Sequence, residues 1–231
     1  YQTCYYFGMP SFPIKKMSKE NLPDLLKEIP DTPDKLYIRG TLPSYEHNYF
    51  LAVVGSRKYS EYGKRAVQDL ISGLAGHPIV VVSGLALGID ELAHTAAIKE
   101  GLPTIALPGS GLNDSVLYPR SNTRLAQKIL ESGGALLSEF EPDQKAAPWS
   151  FPQRNRIMAG LSHAVLVIEA TQKSGTLITS RLATEYNRDV LAVPGSIYSP
   201  SSAGPHLLLR LCATPISRYE DLLEHFGLLS V

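Results

Sequence analysis

The sequence predicts an α/β protein whose open, mostly parallel sheet carries helices on both faces, an architecture of the Rossmann-like type. Short, continuous apolar runs recur along the chain, as expected for parallel strands that are buried on both faces. Most of these runs end in Gly or Ser, and stretches of helical periodicity separate them. Alternation of this kind builds right-handed βαβ units, so a single sheet with two covering layers follows.

A Pro-rich segment precedes the regular part. Ser18 is placed to cap a short helix that ends at Ile29, and residues 36–38 have the pattern of a strand that Gly40 ends. The aromatic opening YQTCYYFG either packs on the main domain or belongs to a missing neighbour. We expect residues 1–47 to be an N-terminal extension, the remnant of a helical domain, and residues 48–231 to form the Rossmann-like domain.

Six strands are predicted in this second part, at residues 50–54, 79–82, 104–107, 135–137, 164–168 and 190–193. A helix with Val67 and Leu70 on its apolar side follows the first strand, and an alanine-rich helix follows the second. The segment FPQRNRIMAGLS, residues 151–162, is predicted to be a basic turn that runs into an amphipathic helix. A further helix is predicted after the turn at residues 174–176.

Composition limits what the chain can bind and where. Lys+Arg and Asp+Glu both number 22, so the formal net charge is zero and any anion site must be a local patch. Cys4 and Cys212 lie far apart and form no metal-ligand or CxxC spacing, which is typical of a reduced compartment. The sequence has no signal segment and no run of about 18 apolar residues that could span a bilayer. It therefore predicts a cytoplasmic protein without a metal and without a membrane partner.

The carboxyl ends of the strands in an open parallel sheet meet along one edge, where ligands bind. Here that edge collects small and polar residues and one arginine: Ser56, Arg57, Ser83, Gly84, Gly109, Ser110, Gly195 and Ser196. The basic turn 154–156 adds two further arginines, and the turn 174–176 presents backbone amides at a helix start. Guanidinium groups bind phosphate bidentately, and free amides at helix N-termini favour anions. The pattern predicts a phosphate-binding face.

Motifs of the common nucleotide enzymes and metalloproteases are absent from the sequence. The first strand is followed by GSRKYSEYG rather than GxGxxG, and neither GxxxxGK[ST] nor HExxH occurs. Ser83 lies where a nucleophile would sit, but the order G-x-S-x-G is missing. His94 is interpreted as a structural histidine and Asp90 as a helix-start cap. Glu139 and Glu169 end two strands, and each is either a general base or the partner of an arginine. No catalytic residue and no cofactor is predicted.

Several motifs share one order and spacing: GSR at 55–57, SGLALGIDELAH at 83–94, LPGSGLNDSVLYP at 107–119, SEF at 138–140, FPQRNRIMAGLS at 151–162, EATQKSGTLIT at 169–179 and AVPGS at 192–196. Together they resemble the DNA-processing protein A family (DprA, also called Smf) over about residues 36–215. The resemblance implies a domain that binds single-stranded DNA without sequence preference and protects it during natural transformation. It also implies a homodimer that loads a RecA-type recombinase and has no catalytic turnover.

The resemblance also assigns residues to the DNA site, motif by motif. It places Ser56 and Arg57 on DNA phosphates, with Ser83 and Gly84 in the same pocket. The turn Ser174-Gly175 approaches the DNA backbone.

The second group of assigned residues surrounds the RNR motif. Lys145 and Phe151 lie where the family has a basic residue and an aromatic, although that basic residue usually sits slightly later in the family. Arg154 and Asn155 take the phosphate and base-edge side of the site. Arg156 belongs to the same site or is buried against an acid.

Other features leave alternatives open. Trp149 is either a stacking surface for bases or a core or interface anchor. The amphipathic stretch 207–211 is a candidate part of the dimer surface, and Cys212 stands where the family often has Gly. One rival function is a nucleotide-processing enzyme related to the cytokinin-activating phosphoribohydrolases, whose PGGxGTxxE motif is absent here. The other rival is a scaffold that meets a recombinase and touches DNA little.

Overall fold

The computed structural model describes residues 12–172 and 174–229. Within this part of the chain one sheet contains nine strands: β1 Ile14–Ser18, β2 Lys35–Gly40, β3 Tyr49–Val54, β4 Ile79–Ser83, β5 Thr104–Ala106, β6 Ala135–Ser138, β7 Ala164–Val167, β8 Asp189–Ala192 and β9 Thr214–Pro215. The helices are α1 Asp24–Lys27, α2 Glu61–Ser72, α3 Ile89–Lys99, α4 Thr123–Glu131, α5 Ser150–Leu161, α6 Thr176–Glu185, α7 Ala203–Arg210 and α8 Tyr219–His225. Among these helices, none combines the length and hydropathy that a membrane crossing requires.

The order of strands across the sheet is β1-β2-β6-β5-β4-β3-β7-β8-β9. Neighbours from β6 to β9 are parallel, whereas β2 is antiparallel to β6 and β1 is antiparallel to β2. The chain builds one half of the sheet outward from β3 through β4, β5 and β6, then returns to the other side of β3 with β7. The pair β3 and β7 is therefore the switch point of the topology, the place where open sheets bind ligands.

Two cores lie on opposite faces of the sheet because the pleat turns successive residues to opposite sides. In β4, Val80 and Val82 point to the face that α1, α5, α6 and α7 cover, whereas Val81 points to the face that α2, α3 and α8 cover. A third cluster packs under α4. The predicted open, mostly parallel sheet with helices on both faces is confirmed, and all six predicted strands are present with ends shifted by at most one residue.

The sheet continues across the boundary predicted at residue 47. Strands β1 and β2 are hydrogen-bonded into it, and Leu22, Leu26 and Ile29 around α1 belong to the core beneath α5. The helix predicted from Ser18 to Ile29 is limited to α1, because the chain before it forms β1 and a 3-10 turn and Pro23 sits at the helix start. The strand predicted at 36–38 is confirmed as part of β2. The aromatic opening lies outside the described residues.

Candidate functional site

A cavity of about 240 Å³ opens at the switch point, at the carboxyl end of β3 and between the starts of α5 and α6. Its lining residues come from four segments, within residues 54–57, 86–90, 151–158 and 174–179. The cavity is smaller than the roughly 300–1,000 Å³ pockets that enclose drug-sized ligands. Its size suits one phosphate and part of a sugar rather than a whole nucleotide.

Arg57 brings an exposed cation to the rim of this cavity. Its Cζ lies 5.4 Å from the centroid of the Phe151 ring, so a cation–π contact holds the guanidinium over the cavity. The Ser56 hydroxyl donates to the Lys58 carbonyl at 2.7 Å and accepts from the Lys58 amide at 3.1 Å. Ser56 thus fixes the turn that presents Arg57, and its side chain does not line the cavity.

Arg154 brings a second cation from inside the protein, since the residue is only 6% exposed. Its Nη1 donates to the Gly84 carbonyl at 2.6 Å and to the Leu107 carbonyl, and its Nε donates to Asn155 Oδ1 at 3.2 Å. Burial lowers the pKa of Arg154 to about 10, and Asp90 opposes that shift. The guanidinium therefore stays charged at neutral pH, and the cavity wall carries a fixed positive charge.

Gly84 makes room for this buried guanidinium. A Cβ at position 84 would lie 2.3 Å from Arg154 Nη1 and 2.6 Å from Asp90 Oδ2. Asp90 Oδ2 accepts the Gly84 amide at 3.1 Å, and burial raises the pKa of Asp90 while the charge of Arg154 lowers it. The helix-start cap predicted for Asp90 is wrong, because Gly88 occupies that position of α3 and Asp90 binds the preceding loop instead.

The turn Ser174-Gly175 leads into α6 and closes the cavity from the β7 side. Ser174 Oγ accepts the Thr176 amide at 3.2 Å and donates to Thr176 Oγ1 at 2.9 Å. Thr176 Oγ1 in turn donates to the Gly55 carbonyl at 3.2 Å, which ties the start of α6 to the end of β3. The partial positive charge of the α6 N-terminus thus adds to the two guanidinium groups.

Phe151 forms the aromatic wall of the cavity. A Cβ at Gly109 would lie 2.6 Å from Phe151 Cδ1, so the glycine allows the ring to pack against the backbone after β5. On its other side the ring meets Tyr118, with 5.7 Å between the ring centroids. The predicted turn at Gly109 therefore serves the aromatic wall rather than contacting a ligand itself.

Besides Ser56 and Gly84, three further residues predicted for the site lie outside the cavity lining. Ser83 is fully buried, and its hydroxyl donates to the Val53 carbonyl at 2.6 Å, so it supports the strands behind the cavity. Lys145 is exposed in the loop between β6 and α5, outside the cavity lining. Arg156 pairs with Glu139 and, at 3.4 Å, with Asp31.

The separation of the arginines follows from the helix. The basic turn predicted at 154–156 is wrong, because α5 begins at Ser150 and already contains these residues. Residues two positions apart on a helix point in nearly opposite directions. Arg154 therefore faces the cavity, while Arg156 faces the acids on the other side.

The carboxylate candidates for a general base are both held by other groups. Glu139 pairs with Arg156, as one of the two predicted alternatives states, and burial raises the pKa of Glu139. Glu169 accepts from the Ser60 amide, the Ser60 hydroxyl and the Ser201 hydroxyl rather than from an arginine.

His94 lies in the core, as its structural interpretation predicts, but within the described residues its Nε2 has no hydrogen-bond partner. The residue is fully buried, its Nδ1 lies 2.8 Å from Thr104 Oγ1, and burial lowers its pKa to about 3. Across residues 12–172 and 174–229 no group of three or more His, Cys, Asp or Glu side chains is arranged to hold a metal ion.

The exposure of Trp149 excludes one of its alternatives. The residue is 57% exposed and makes an edge contact with the Phe140 ring at 5.7 Å, so it is not a core anchor, whereas a stacking surface and an interface anchor stay predictions. Tyr118 was not singled out in the sequence, yet it packs on Phe151 beside the cavity. Tyr118 lies in a long connection after a strand that contains Gly and Pro. Functional side chains often lie in such connections, so this position could have indicated a role for Tyr118.

Comparison with known proteins gives a consistent result. A profile of the family described as DNA recombination-mediator protein A matches residues 14–227. Protein Smf of Escherichia coli is 43% identical over 225 residues, which cover 96% of this chain and 59% of that protein. The chain thus spans less than two thirds of the length of this relative.

Solved structures agree in fold. DprA from Streptococcus pneumoniae superposes with a TM-score of 0.84 at 41% identity, covering 92% of this chain and 74% of that one. DprA from Helicobacter pylori, a protein with a single-stranded DNA binding mode of its own, gives a TM-score of 0.82 at 30% identity, covering 93% and 96%. With the profile match over most of its length, this chain belongs to the DNA recombination-mediator protein A (DprA/Smf) family.

Proposed function

We propose that this chain binds single-stranded DNA without sequence preference and holds a backbone phosphate in the switch-point cavity. The observation that carries the proposal is the convergence of exposed Arg57, buried Arg154 and the N-terminus of α6 on one small cavity. The related Helicobacter pylori protein binds single-stranded DNA, which supports the same ligand class here.

The two arginines have different tasks in this proposal. Arg154 is already hydrogen-bonded to backbone carbonyls, so its charge is in place before a ligand arrives and needs no reorganisation. Arg57 has its guanidinium on the exposed rim, where its N–H groups form the bidentate contact to phosphate. Each phosphate contact of this kind makes the slope of log affinity against log salt concentration more negative by roughly 0.7.

Lack of sequence preference follows from the groups available around the phosphate. Asn155 lines the cavity, and because its Oδ1 accepts from Arg154, its NH₂ group is the free donor for a base edge. Phe151 offers a ring, and every base can stack on an aromatic face. We therefore assign direct contacts to Arg57, Asn155, Phe151 and Ser174-Gly175, and a charge-supplying role to Arg154.

We further propose that the protein acts in the cytoplasm as a homodimer that protects incoming strands during natural transformation and loads a RecA-type recombinase. In support of a dimer, Leu207 of α7 is 40% exposed and Leu211, just after α7, is 70% exposed, both beside the short edge strand β9. Two cavities in one dimer would hold a long strand more tightly through effective concentration.

The test compares two exposed arginines. Arg57→Ala is expected to weaken binding of a short single-stranded oligonucleotide about tenfold, since a hydrogen-bonded charge contributes roughly 1.5–3 kcal/mol. For this variant, the slope of log affinity against log salt concentration should also become less negative by about 0.7. Arg65→Ala, an equal charge change on the exposed side of α2, is the control.

Fluorescence anisotropy at two salt concentrations, with single- and double-stranded oligonucleotides, measures both quantities. Equal affinities for wild type, Arg57→Ala and Arg65→Ala would contradict the proposal that the cavity binds a DNA phosphate. A separate incubation with nucleoside monophosphates checks for a released base, which a protein that only binds does not produce.

A further inference from the structure

One carboxyl group lies among the cationic groups of the switch-point cavity. Asp90, in the first turn of α3, lines the same space as Arg57 and Arg154, and the residue is only 7% exposed. A negative charge at this place opposes the binding of a phosphate, because like charges repel strongly where water is excluded. A cavity that holds an anion therefore loses affinity through an ionised Asp90.

The two oxygens of Asp90 have different surroundings. Oδ2 accepts the Gly84 amide at 3.1 Å, which fixes the orientation of the carboxyl group. Oδ1 has no hydrogen-bond partner among the described residues and is not fully enclosed, so it faces the cavity. Towards a ligand, such an oxygen is an acceptor when the group is ionised and carries a donor O–H when the group is protonated.

The charged and titratable groups around Asp90 come from three parts of the chain. Arg154 approaches from α5: a Cβ at Gly84 would lie 2.3 Å from its Nη1 and 2.6 Å from Asp90 Oδ2, so both groups meet above the same glycine. No ion pair of 4.0 Å or less joins these two side chains. Arg57 lies on the cavity rim, and His94, one turn further along α3, is neutral near pH 7 because burial lowers its pKa to about 3.

Burial already favours the neutral form of Asp90. It raises the pKa of this carboxyl group, whereas the charge of Arg154 and hydrogen bonds from the connection between β4 and α3 lower it. A bound phosphate would place a further negative charge beside Oδ1, and a like charge raises the pKa of a carboxyl group. A group whose pKa rises on binding takes up a proton, so phosphate binding and protonation of Asp90 are linked.

We propose that Asp90 is a proton-linked part of the phosphate site: when a DNA phosphate binds, Oδ1 takes up one proton and donates it in a hydrogen bond to a phosphate oxygen. The proposal deepens the function proposed above and rests on it. The proton comes from solvent, no covalent bond of the DNA changes, and the phosphodiester keeps its charge. Hydrogen bonds from O–H to an anionic oxygen are short and strong, so protonation changes Asp90 from a repelling group into a binding group.

The affinity for DNA should then increase as the pH falls. Asp90 holds its proton more tightly in the complex than in the free protein. Its contribution is therefore fully present below its pKa in the free protein and is lost as the pH rises through its pKa in the complex. Between these two values, log affinity should rise by up to about one unit for each unit by which the pH falls.

The first test measures fluorescence anisotropy of labelled dT12 at constant ionic strength, from about pH 5 to about pH 8.5. Asp90→Asn keeps an oxygen for the Gly84 amide but cannot ionise. It should bind about tenfold more tightly than wild type near the upper end of this range, where wild type must take up a proton, and the difference should shrink towards the lower end. Asp69→Asn, an equal charge change on the exposed side of α2, should leave the shape of the wild-type profile unchanged.

Calorimetry counts the proton directly. Titration of the protein with dT12 at one pH, in two buffers that differ in ionisation enthalpy, gives the number of protons taken up on binding. Wild type and Asp69→Asn should take up more than Asp90→Asn, by as much as about one proton for each occupied cavity. Asp90→Ser repeats the comparison with a shorter neutral side chain, and thermal unfolding checks that each variant is folded.

The outcomes distinguish the two proposals. If wild type binds dT12 and Arg57→Ala weakens it, but wild type and Asp90→Asn have parallel pH profiles and equal proton uptake, the role of Asp90 is wrong while the phosphate cavity stands. If wild type fails to bind dT12 at low salt, the proposed function itself fails. A folded Asp90→Asn protein that binds more weakly than wild type at the upper end of the pH range also overturns the role of Asp90, because the ionised carboxylate then supports binding.

Discussion

Two depressions share the carboxyl edge of the sheet, yet the balance of their charged groups differs. The switch-point cavity contains two arginines, Arg57 and Arg154, and one carboxylate, Asp90. The second depression, beside β8, is lined by Glu169 and by small or hydroxyl-bearing residues that include Gly195 and Ser196. Both contain the Gly and Ser turns from which the sequence predicted one continuous phosphate-binding face. The difference teaches that such turns are not sufficient for an anion site.

The two depressions differ in which groups their hydrogen-bond donors contact. Beside β8, the Ser60 amide, the Ser60 hydroxyl and the Ser201 hydroxyl donate to the buried carboxylate of Glu169, so they are not available to an anion. At the switch point, α5 inserts Arg154 instead, and backbone carbonyls accept its hydrogen bonds without cancelling its charge. The cavity therefore keeps a net positive charge, while the depression beside β8 does not.

Substitution of Arg154 is expected to have the largest effect on the difference between the two depressions. Arg154→Met should lower the free energy of unfolding by about 3 kcal/mol, because two buried carbonyls lose a donor at roughly 1–3 kcal/mol each. Arg57→Met, which removes an exposed charge, should change it by less than about 0.5 kcal/mol. Urea unfolding followed by circular dichroism measures both values. Equal stabilities would show that Arg154 is not a structural part of the cavity wall.

A smaller effect is expected from the glycine beside it. Gly84→Ala places a methyl group where the Arg154 guanidinium lies and should cost about 1–3 kcal/mol, the usual range for overpacking. Gly175→Ala is the matched control, since a Cβ there meets nothing within 4 Å. If thermal unfolding gives the same midpoint for both variants, the close approach of Gly84 and Arg154 has no energetic weight.

The smallest effect on DNA binding is expected at the acidic depression. Glu169→Gln replaces a carboxylate oxygen by an NH₂ group, which faces donors rather than acceptors, and should cost about 1–2 kcal/mol of stability. Single-stranded DNA affinity should stay within about twofold of wild type, because this depression is not part of the proposed binding surface. A large loss of affinity in folded Glu169→Gln protein would extend the DNA surface to β8 and contradict the comparison.

Much of the fold was predictable because strands buried on both faces produce continuous apolar runs. Strands β3 to β7 are of this kind, and β8 is buried in its second half. Strand β1, IKKMS, was not predicted because it lies at the sheet edge and two adjacent lysines interrupt its apolar residues, and β9 has only two residues. Helix α4 was not predicted either, although Ala126, Ile129 and Leu130 form its buried side.

The chemistry of the site was predictable, but the task of each residue was not. The motif RNR predicts two guanidinium groups. It does not indicate which of the two arginines faces the sheet, because that depends on how α5 packs. Likewise, the Gly-Ser turns at 109–110 and 195–196 look alike in sequence. One of them accommodates the Phe151 ring, and the other lies beside Glu169. These roles arise from contacts between distant segments, which local sequence does not encode.

The position of the cavity between β3 and β7 has a consequence for the whole molecule. From β3 the chain passes to α2 on one face, and from β7 it passes to α6 on the other. A polyanion bound between these two connections would contact groups from both helical layers. These groups are residues 86–90 before and in α3 on one face, and α5 and α6 on the other. If the proposed function holds, bound DNA would connect the two helical layers across the sheet, and partial opening of either layer would be coupled to its release.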